Sequence, residues 1–397
     1  MAIDFTLDDK LLELRDRVRD FITDIVIPAE EQDDPHVHGL PVELLSQLSN
    51  AARERFVYAP TAPVEFGGLG LDHRSQAVIL EESGRSLLGP AAMNCAAPDE
   101  GNILLLHKVA TAEQQEQYLR PLSLGQVRSS FAMTEPSPGA GADPNMLLTT
   151  AEPTADGWVI NGRKWFITGA QGAAFLIVMA RTSNGATMFL VDGNNPGVHI
   201  VRTLGTLDTS FSGGHCELLF ENCLVTSDAV LGAVNEGFRY AQVRLGPARL
   251  THCMRWLGAA RRAHETAVGY SAGRPMFGVH LASLGMAQQM IADNEIDIAA
   301  SRALIWQAAW ALDIGRPARQ ETSVAKTFVA EAAFRIVDRS LQLCGGLGVS
   351  DDAPVARIFR EVRPFRIYDG PSEVHRWSIA RRAVRQLRAG NLPGDWQ

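Results

Sequence analysis

Between Phe131 and Phe220 the chain is written in short apolar runs with no helical stretch between them, and this block constrains the fold most. The runs Trp158 to Ile160, Lys164 to Thr168, Phe175 to Ala180, Thr187 to Val191, Val198 to Val201 and Glu217 to Phe220 are rich in Val, Ile, Phe and Thr. Turn residues bound them, which is the pattern of strands. Asp156-Gly157 supplies a hairpin turn, because Asp and Gly tolerate positive φ. About seven short strands within about 100 residues, without intervening helices, point to an antiparallel barrel or sandwich.

On both sides of this block the apolar period becomes helical. From Thr6 to Ile27, Leu7, Leu11, Val18, Phe21, Ile22 and Ile25 fall on one face, and Thr6 with Asp9 reads as a capping pair. Similar patterns cover 42–56, 75–88, 101–109 and 112–119, separated by Pro60, Pro63, the Gly67-Gly68-Leu69-Gly70 turn and Pro98. Beyond Glu236 they run over 236–270, 283–314, 317–344 and 371–388. Pro317 and Pro371 suit first-turn positions, and Gly315 and Gly345 suit helix ends. The expected fold is a multidomain α+β chain: an N-terminal α-helical domain over 1–129, a middle antiparallel β-barrel or sandwich over 130–235 and a C-terminal four-helix bundle over 236–397.

Composition narrows the function classes. A formal charge of -8 argues against a general nucleic-acid binder. Lysine occurs only at Lys10, Lys108, Lys164 and Lys326, which reads as genome composition rather than phosphate recognition. Cys95, Cys216, Cys223, Cys253 and Cys344 form an odd set without C-x-x-C spacing, so neither a metal site nor a disulfide framework is expected. Asp4, Asp8 and Asp9 stand where a signal peptide needs positive charge, and no apolar run reaches the ~18 residues of a membrane span. The expectation is a cytoplasmic protein.

Several familiar sites are missing from the sequence. Gly139-Ala140-Gly141 and Gly345-Gly346-Leu347-Gly348 do not complete G-x-G-x-x-G and lie outside any βαβ pattern. His36-Val37-His38 lacks a ligand partner at useful spacing and reads as a solvated loop. No G-x-S-x-G elbow exists.

Four segments remain: Phe131-Ala132-Met133-Thr134-Glu135-Pro136, Lys164-Trp165-Phe166-Ile167-Thr168-Gly169, Gln342-Leu343-Cys344-Gly345-Gly346, and the run from Phe365 to Arg376 containing Tyr368-Asp369-Gly370-Pro371-Ser372-Glu373. In this order, over residues 5 to 388, they resemble the acyl-CoA dehydrogenase family of flavoenzymes. The resemblance implies FAD, held by Phe131, Met133, Thr134, Phe166 and Thr168 around the flavin ring. Phe166 stands where relatives usually carry Trp, which keeps the shape and loses an N–H donor. Arg274-Pro275-Met276-Phe277-Gly278 resembles the family's R-x-x-F-G, which implies that Arg274 and Phe277 reach a neighbouring subunit's cofactor. Leu284-Gly285 replaces the His-Gln pair expected downstream. Gln342, Gly345 and Gly346 match the segment near the diphosphate and adenosine. Pro371, Ser372 and Glu373 replace the commoner Thr-x-Gln cofactor contacts, and an ionised Glu only accepts hydrogen bonds.

Asp369 holds the position of the family's catalytic Glu, and a branch with the same D-G-P-x-E-V-H ending also uses Asp there. Arg249 matches an Arg beside the base and the thioester, while Ala248 stands where some relatives place their base. The implied substrate-binding set is Ala142, Leu245, Arg249, Tyr368 and Gly370. The expected reaction is α,β-dehydrogenation of an acyl-CoA thioester, with Asp369 removing the α-proton and hydride passing to the flavin. A homotetramer, as a dimer of dimers, and an electron-transfer flavoprotein as acceptor are implied partners. The alternatives are an oxidase of the same fold, acting on acyl-CoA or nitroalkanes, and a non-catalytic flavoprotein scaffold.

Overall fold

The structure, a computed structural model, describes residues 4–392. Met1 to Ile3 and Pro393 to Gln397, which the expected end domains include, lie outside the described residues. The main helices before the sheet are α1 (Asp9–Phe21), α2 (Val42–Glu54), α3 (His73–Ser83) and α4 (Asp99–Val109). The strands are β1 (Ser129–Ala132), β2 (Thr150–Pro153), β3 (Gly157–Thr168), β4 (Phe175–Thr182), β5 (Gly185–Asp192), β6 (Val198–Thr203), β7 (His215–Thr226) and β8 (Val230–Leu231). Then come α5 (Gly237–Gly273), α6 (Gly285–Asp313), α7 (Arg319–Cys344), α8 (Pro354–Val362) and α9 (Ser372–Arg388). The helical, β, helical order read from periodicity is the fold.

The chain divides into two compact units. One comprises Met1–Asp16, His73–Leu87 and Arg249–Gln397; the other comprises Arg17–Asp72 and Leu88–Ala248. In the first, the Asp313 carboxylate ending α6 accepts from the His73 and Arg74 backbone N–H groups at 2.8 and 3.0 Å, satisfying two of the open donors in the first turn of α3. Glu81 on α3 pairs with Arg261 of α5 and Arg302 of α6, at 2.7 and 2.6 Å. In the second, the sheet core gathers Ile160, Val178, Phe189, Leu218 and Phe220, all at most 1% exposed.

Five details depart from expectation. The sheet is open, in the order β6-β7-β3-β2-β4-β5-β8, and β1 and β2 both pair with β4 in parallel, so no barrel closes and the pairing is not purely antiparallel. Trp158 to Ile160 and Lys164 to Thr168 are one strand, β3, whose alternation is broken by register shifts at 160–162 and 164–167. Asp8, not Thr6, caps α1: its carboxylate accepts from the Leu11 N–H at 2.8 Å. Pro317 lies outside α7, behind Ala318 at φ 46, and Pro371 takes the cap position of α9 rather than its first turn. Finally, α8 lies between the expected helices over 317–344 and 371–388, where periodicity marks no element, its nine residues being fewer than the roughly 10 to 12 that separate a helix from a strand.

Candidate active site

Asp369 sits between a short turn at 363–366 and α9, with a left-handed backbone at φ 54. A non-glycine residue there carries strain that its surroundings must hold. Three groups hold it by the backbone. The Arg249 Nε on α5 donates to the Asp369 carbonyl at 2.7 Å, and His375 Nε2 lies 3.3 Å from the same oxygen. Lys326, fully buried on α7, donates to the carbonyls of Phe365 and Gly370 at 2.8 and 2.9 Å. Gly370 follows at φ 98, and a Cβ there would lie 2.8 Å from His375 Nε2. Only glycine fits.

The reactive edges of Asp369 are left open. Its side chain is 20% exposed, and its backbone N–H donates to no acceptor among the described residues. His252 Nε2 stands 3.4 Å from Oδ2, and His252 Nδ1 lies 3.2 Å from an Arg255 guanidinium nitrogen. An arginine can only donate, so it favours the tautomer that turns Nε2–H toward the carboxylate. Tyr368 packs on His252 and Phe365 and accepts from Trp256 Nε1. Burial pushes Lys326 down to about 8. Burial also lowers His375 to about 4, helped by Arg249 and Lys326, so its imidazole is neutral at ordinary pH.

Elsewhere in the helical unit, the expected cofactor residues lie on the surface. Arg274-Pro275-Met276-Phe277-Gly278 is a small hairpin, not a plain interhelical loop: Pro275–Met276 pairs with Val279–His280, and Phe277 and Gly278 make its tip at φ 48 and 80. Phe277 is 91% exposed. Gln342, Gly345, Gly346 and Glu373 are exposed too, and Pro371 is half-buried. Ser372 differs. It is buried in the first turn of α9, which removes its hydroxyl from the reach of a bound molecule.

In the β unit, Phe166 stands on the second register shift of β3 with φ 52 and is 48% exposed, its ring edge against Trp165. An irregularity of this kind turns out a side chain that regular pleating would bury. Phe131, on β1, lies under the Arg244 guanidinium at 4.2 Å. Met133 and Thr134 follow it, half-buried, and the Thr134 hydroxyl has no partner among the described residues. Thr168 ends β3 directly opposite His215. An exposed aromatic face with free hydroxyl and backbone groups beside it fits a planar ring with polar edges, as a flavin has. Ala142 is exposed in the loop after Pro136, and Leu245 is half-buried on α5.

Three family models match the chain in sequence order: the acyl-CoA dehydrogenase N-terminal domain over residues 8–126, the middle domain over 130–223 and the C-terminal domain over 235–384. The chain belongs to the acyl-CoA dehydrogenase family. These are FAD-dependent oxidoreductases. Among its relatives is the probable acyl-CoA dehydrogenase FadE2 of Mycobacterium tuberculosis, 39% identical over 397 residues and 96% of each chain. Acyl-CoA dehydrogenase family member 11 of Gallus gallus is 35% identical over 92% of this chain, which spans 49% of that longer protein. A 3-(aryl)acrylate reductase of Clostridium sporogenes is 34% identical, over 92% of this chain and 96% of the relative. A solved structure of a putative acyl-CoA dehydrogenase from Mycobacterium abscessus matches with TM-score 0.90 and 35% identity, over 96% of this chain and all of the other.

Within this acyl-CoA dehydrogenase, several groups escaped the sequence reading. Glu135 and Lys164, inside two of the motifs, form a buried pair at 2.9 Å. Glu135 also accepts from the Leu148 and Thr149 N–H groups, and Lys164 donates to the Met133 carbonyl at 3.0 Å. They fasten the Met133-Thr134 segment to β3. Burial would raise the Glu135 carboxyl, but Lys164 and the N–H donors more than reverse this, to about 2. Asp99, Asn102 and Arg244 similarly anchor the start of β1. His252, Lys326 and His375 were missed because their partners at Asp369 and Gly370 lie on other elements. For His252 one signal was available: it follows Arg249 by three residues, so both share a helix face.

Proposed function

We propose that the protein is an FAD-dependent acyl-CoA dehydrogenase in which the Asp369 carboxylate takes the α-proton of an acyl-CoA thioester and an enoyl-CoA results. The observation that carries this reading is the Asp369 turn, gripped through its carbonyls and leaving both the carboxylate and the adjoining N–H uncommitted. A thioester oxygen placed on that N–H would be polarised as the α-carbon gains negative charge, which is where electrostatic stabilisation acts best. Arg249 holds the turn and keeps a cation beside the developing charge. His252 Nε2, 3.4 Å from the second carboxylate oxygen, is near enough to steady the shorter Asp side chain while leaving the carboxylate open for the proton.

FAD, when bound, supplies the acceptor for the two electrons and the β-hydrogen. Phe131, Met133, Thr134, Phe166 and Thr168 would hold its ring. The exposed Arg274, Phe277, Gln342, Gly345 and Gly346 would serve cofactors of a homotetramer, and an electron-transfer flavoprotein would reoxidise the enzyme. Anaerobic bleaching of the yellow protein across a panel of acyl-CoA esters tests the proposal. Reduction by at least one ester, without hydrogen peroxide on readmitting air, is the expected result. Rapid peroxide formation would favour an oxidase. The reductase name of one relative adds a second assay, reoxidation of the reduced protein by an arylacrylyl thioester.

A further inference from the structure

The carboxylate of Asp369 ends against a wall. His252 Nε2 lies 3.4 Å from Oδ2, and the His252 side chain is 7% exposed. Its ring has little room to retreat: it packs against Tyr368 and Phe365 with centroids 5.0 and 5.8 Å away, and Nδ1 lies 3.2 Å from an Arg255 guanidinium nitrogen. Phe365 is fully buried, and the buried Trp256 donates to the Tyr368 hydroxyl. Residue 252 lies well inside α5, so regular helix fixes its Cα. The other end of the gap is fixed as well, because Arg249, His375 and Lys326 hold the carbonyls of residues 365, 369 and 370.

Two fixed ends leave a set length between them. A Glu at 369 would carry its carboxylate about one bond length, ~1.5 Å, farther along the same line. A gap of 3.4 Å between heavy atoms leaves no space for that. The longer side chain must then press on the imidazole or turn aside, and either move takes the carboxylate off the place that Asp369 gives it. A stop of this kind acts alike whether the ring is neutral or charged. We propose, resting on the dehydrogenase reading above, that His252 is a positioning residue that sets the length of the base: the imidazole makes the site fit Asp at 369 and exclude Glu.

The test measures anaerobic flavin reduction by stopped flow, with the best ester of the panel, in FAD-loaded, full-length wild type, Asp369→Glu, His252→Asn, His252→Gln and the two double variants. At its polar tip Asn is shorter than His by about one bond length, whereas Gln carries its amide nitrogen about as far from the helix as Nε2. Asp369→Glu alone should slow reduction by up to about 10²-fold, as a displacement of about 1 Å does. Adding His252→Asn should win back about tenfold, although alone it should slow reduction by the native Asp. Adding His252→Gln should win back nothing, because its tip stands where that of the imidazole stood. A residue that merely supports the fold gives the opposite pattern, in which its loss adds to that of Asp369→Glu. If His252→Asn takes up no FAD, His252→Ala, which opens the same space, replaces it. With wild type reduced, an Asp369→Glu/His252→Asn variant no faster than Asp369→Glu, or an equal gain from His252→Gln, overturns this inference and leaves the dehydrogenase reading intact. A wild type that no ester reduces overturns both.

Discussion

At the Asp369 turn the protein grips the backbone, and at the end of β3 it grips the side chain. Arg249, His375 and Lys326 all address main-chain carbonyls at residues 365, 369 and 370, while among the described residues the Asp369 carboxylate meets only His252, at 3.4 Å. The Thr168 hydroxyl is tied at 2.9 Å into a side-chain relay that reaches a buried carboxylate. The difference follows from what each group must do. A group that gives or takes a proton needs its own lone pairs uncommitted, so positioning falls to its backbone. A hydroxyl whose side chain is committed to a neighbour gains a fixed position instead.

The comparison can be broken first at the pair that fastens the β side. Lys164→Met should destabilise the protein by about 3 to 5 kcal/mol, because it leaves the Glu135 charge buried and unpaired. Adding Glu135→Gln should restore part of that loss. Urea unfolding measures both, and an unchanged Lys164→Met midpoint would remove the pair from the account. On the other side, Lys326→Met strips the Phe365 and Gly370 carbonyls of their donor. It should slow flavin reduction on the order of 10²-fold, as a displacement of about 1 Å does, while FAD binding holds. Equal losses in FAD binding and rate would mean that Lys326 supports the whole unit rather than the turn.

A smaller effect sharpens the role of His375. Its ordinary value is 6.5 and its folded value about 4, so between these the unfolded chain binds the extra proton and stability falls as pH drops from about 6.5 toward 4. His375→Gln cannot titrate. Thermal melts over this window should show a steeper fall for wild type than for the variant, and parallel curves would rule the group out.

The coarse fold was legible in the sequence because periods of 3.6 and 2 leave separate marks, and the four motifs pointed to the Asp369 turn and the β3 end. What was not legible came from long-range pairing. Residue 326 lies far from residue 370 in the chain, and nothing local says that a lysine will be buried under two carbonyls. Likewise, Asp208 and His215 look like ordinary loop and strand residues until register sets His215 against Thr168. The β3 strand was read as two because its irregularity at Trp165-Phe166 interrupts alternation, and that irregularity exposes Phe166.

The central claim is that the carboxylate left free at residue 369 is the base, and single-turnover flavin reduction under anaerobic stopped flow tests it most directly. Asp369→Asn keeps the size of the side chain and cannot accept the proton. With the best ester from the panel, it should bind FAD and ester nearly as wild type does, yet reduce its flavin 10²- to 10⁴-fold more slowly, on the order of a general base's contribution. Asp369→Glu, still a base but one methylene longer, should lose less. Reduction of the Asp369→Asn flavin at a near wild-type rate would contradict the account, and the proton would have to be taken elsewhere.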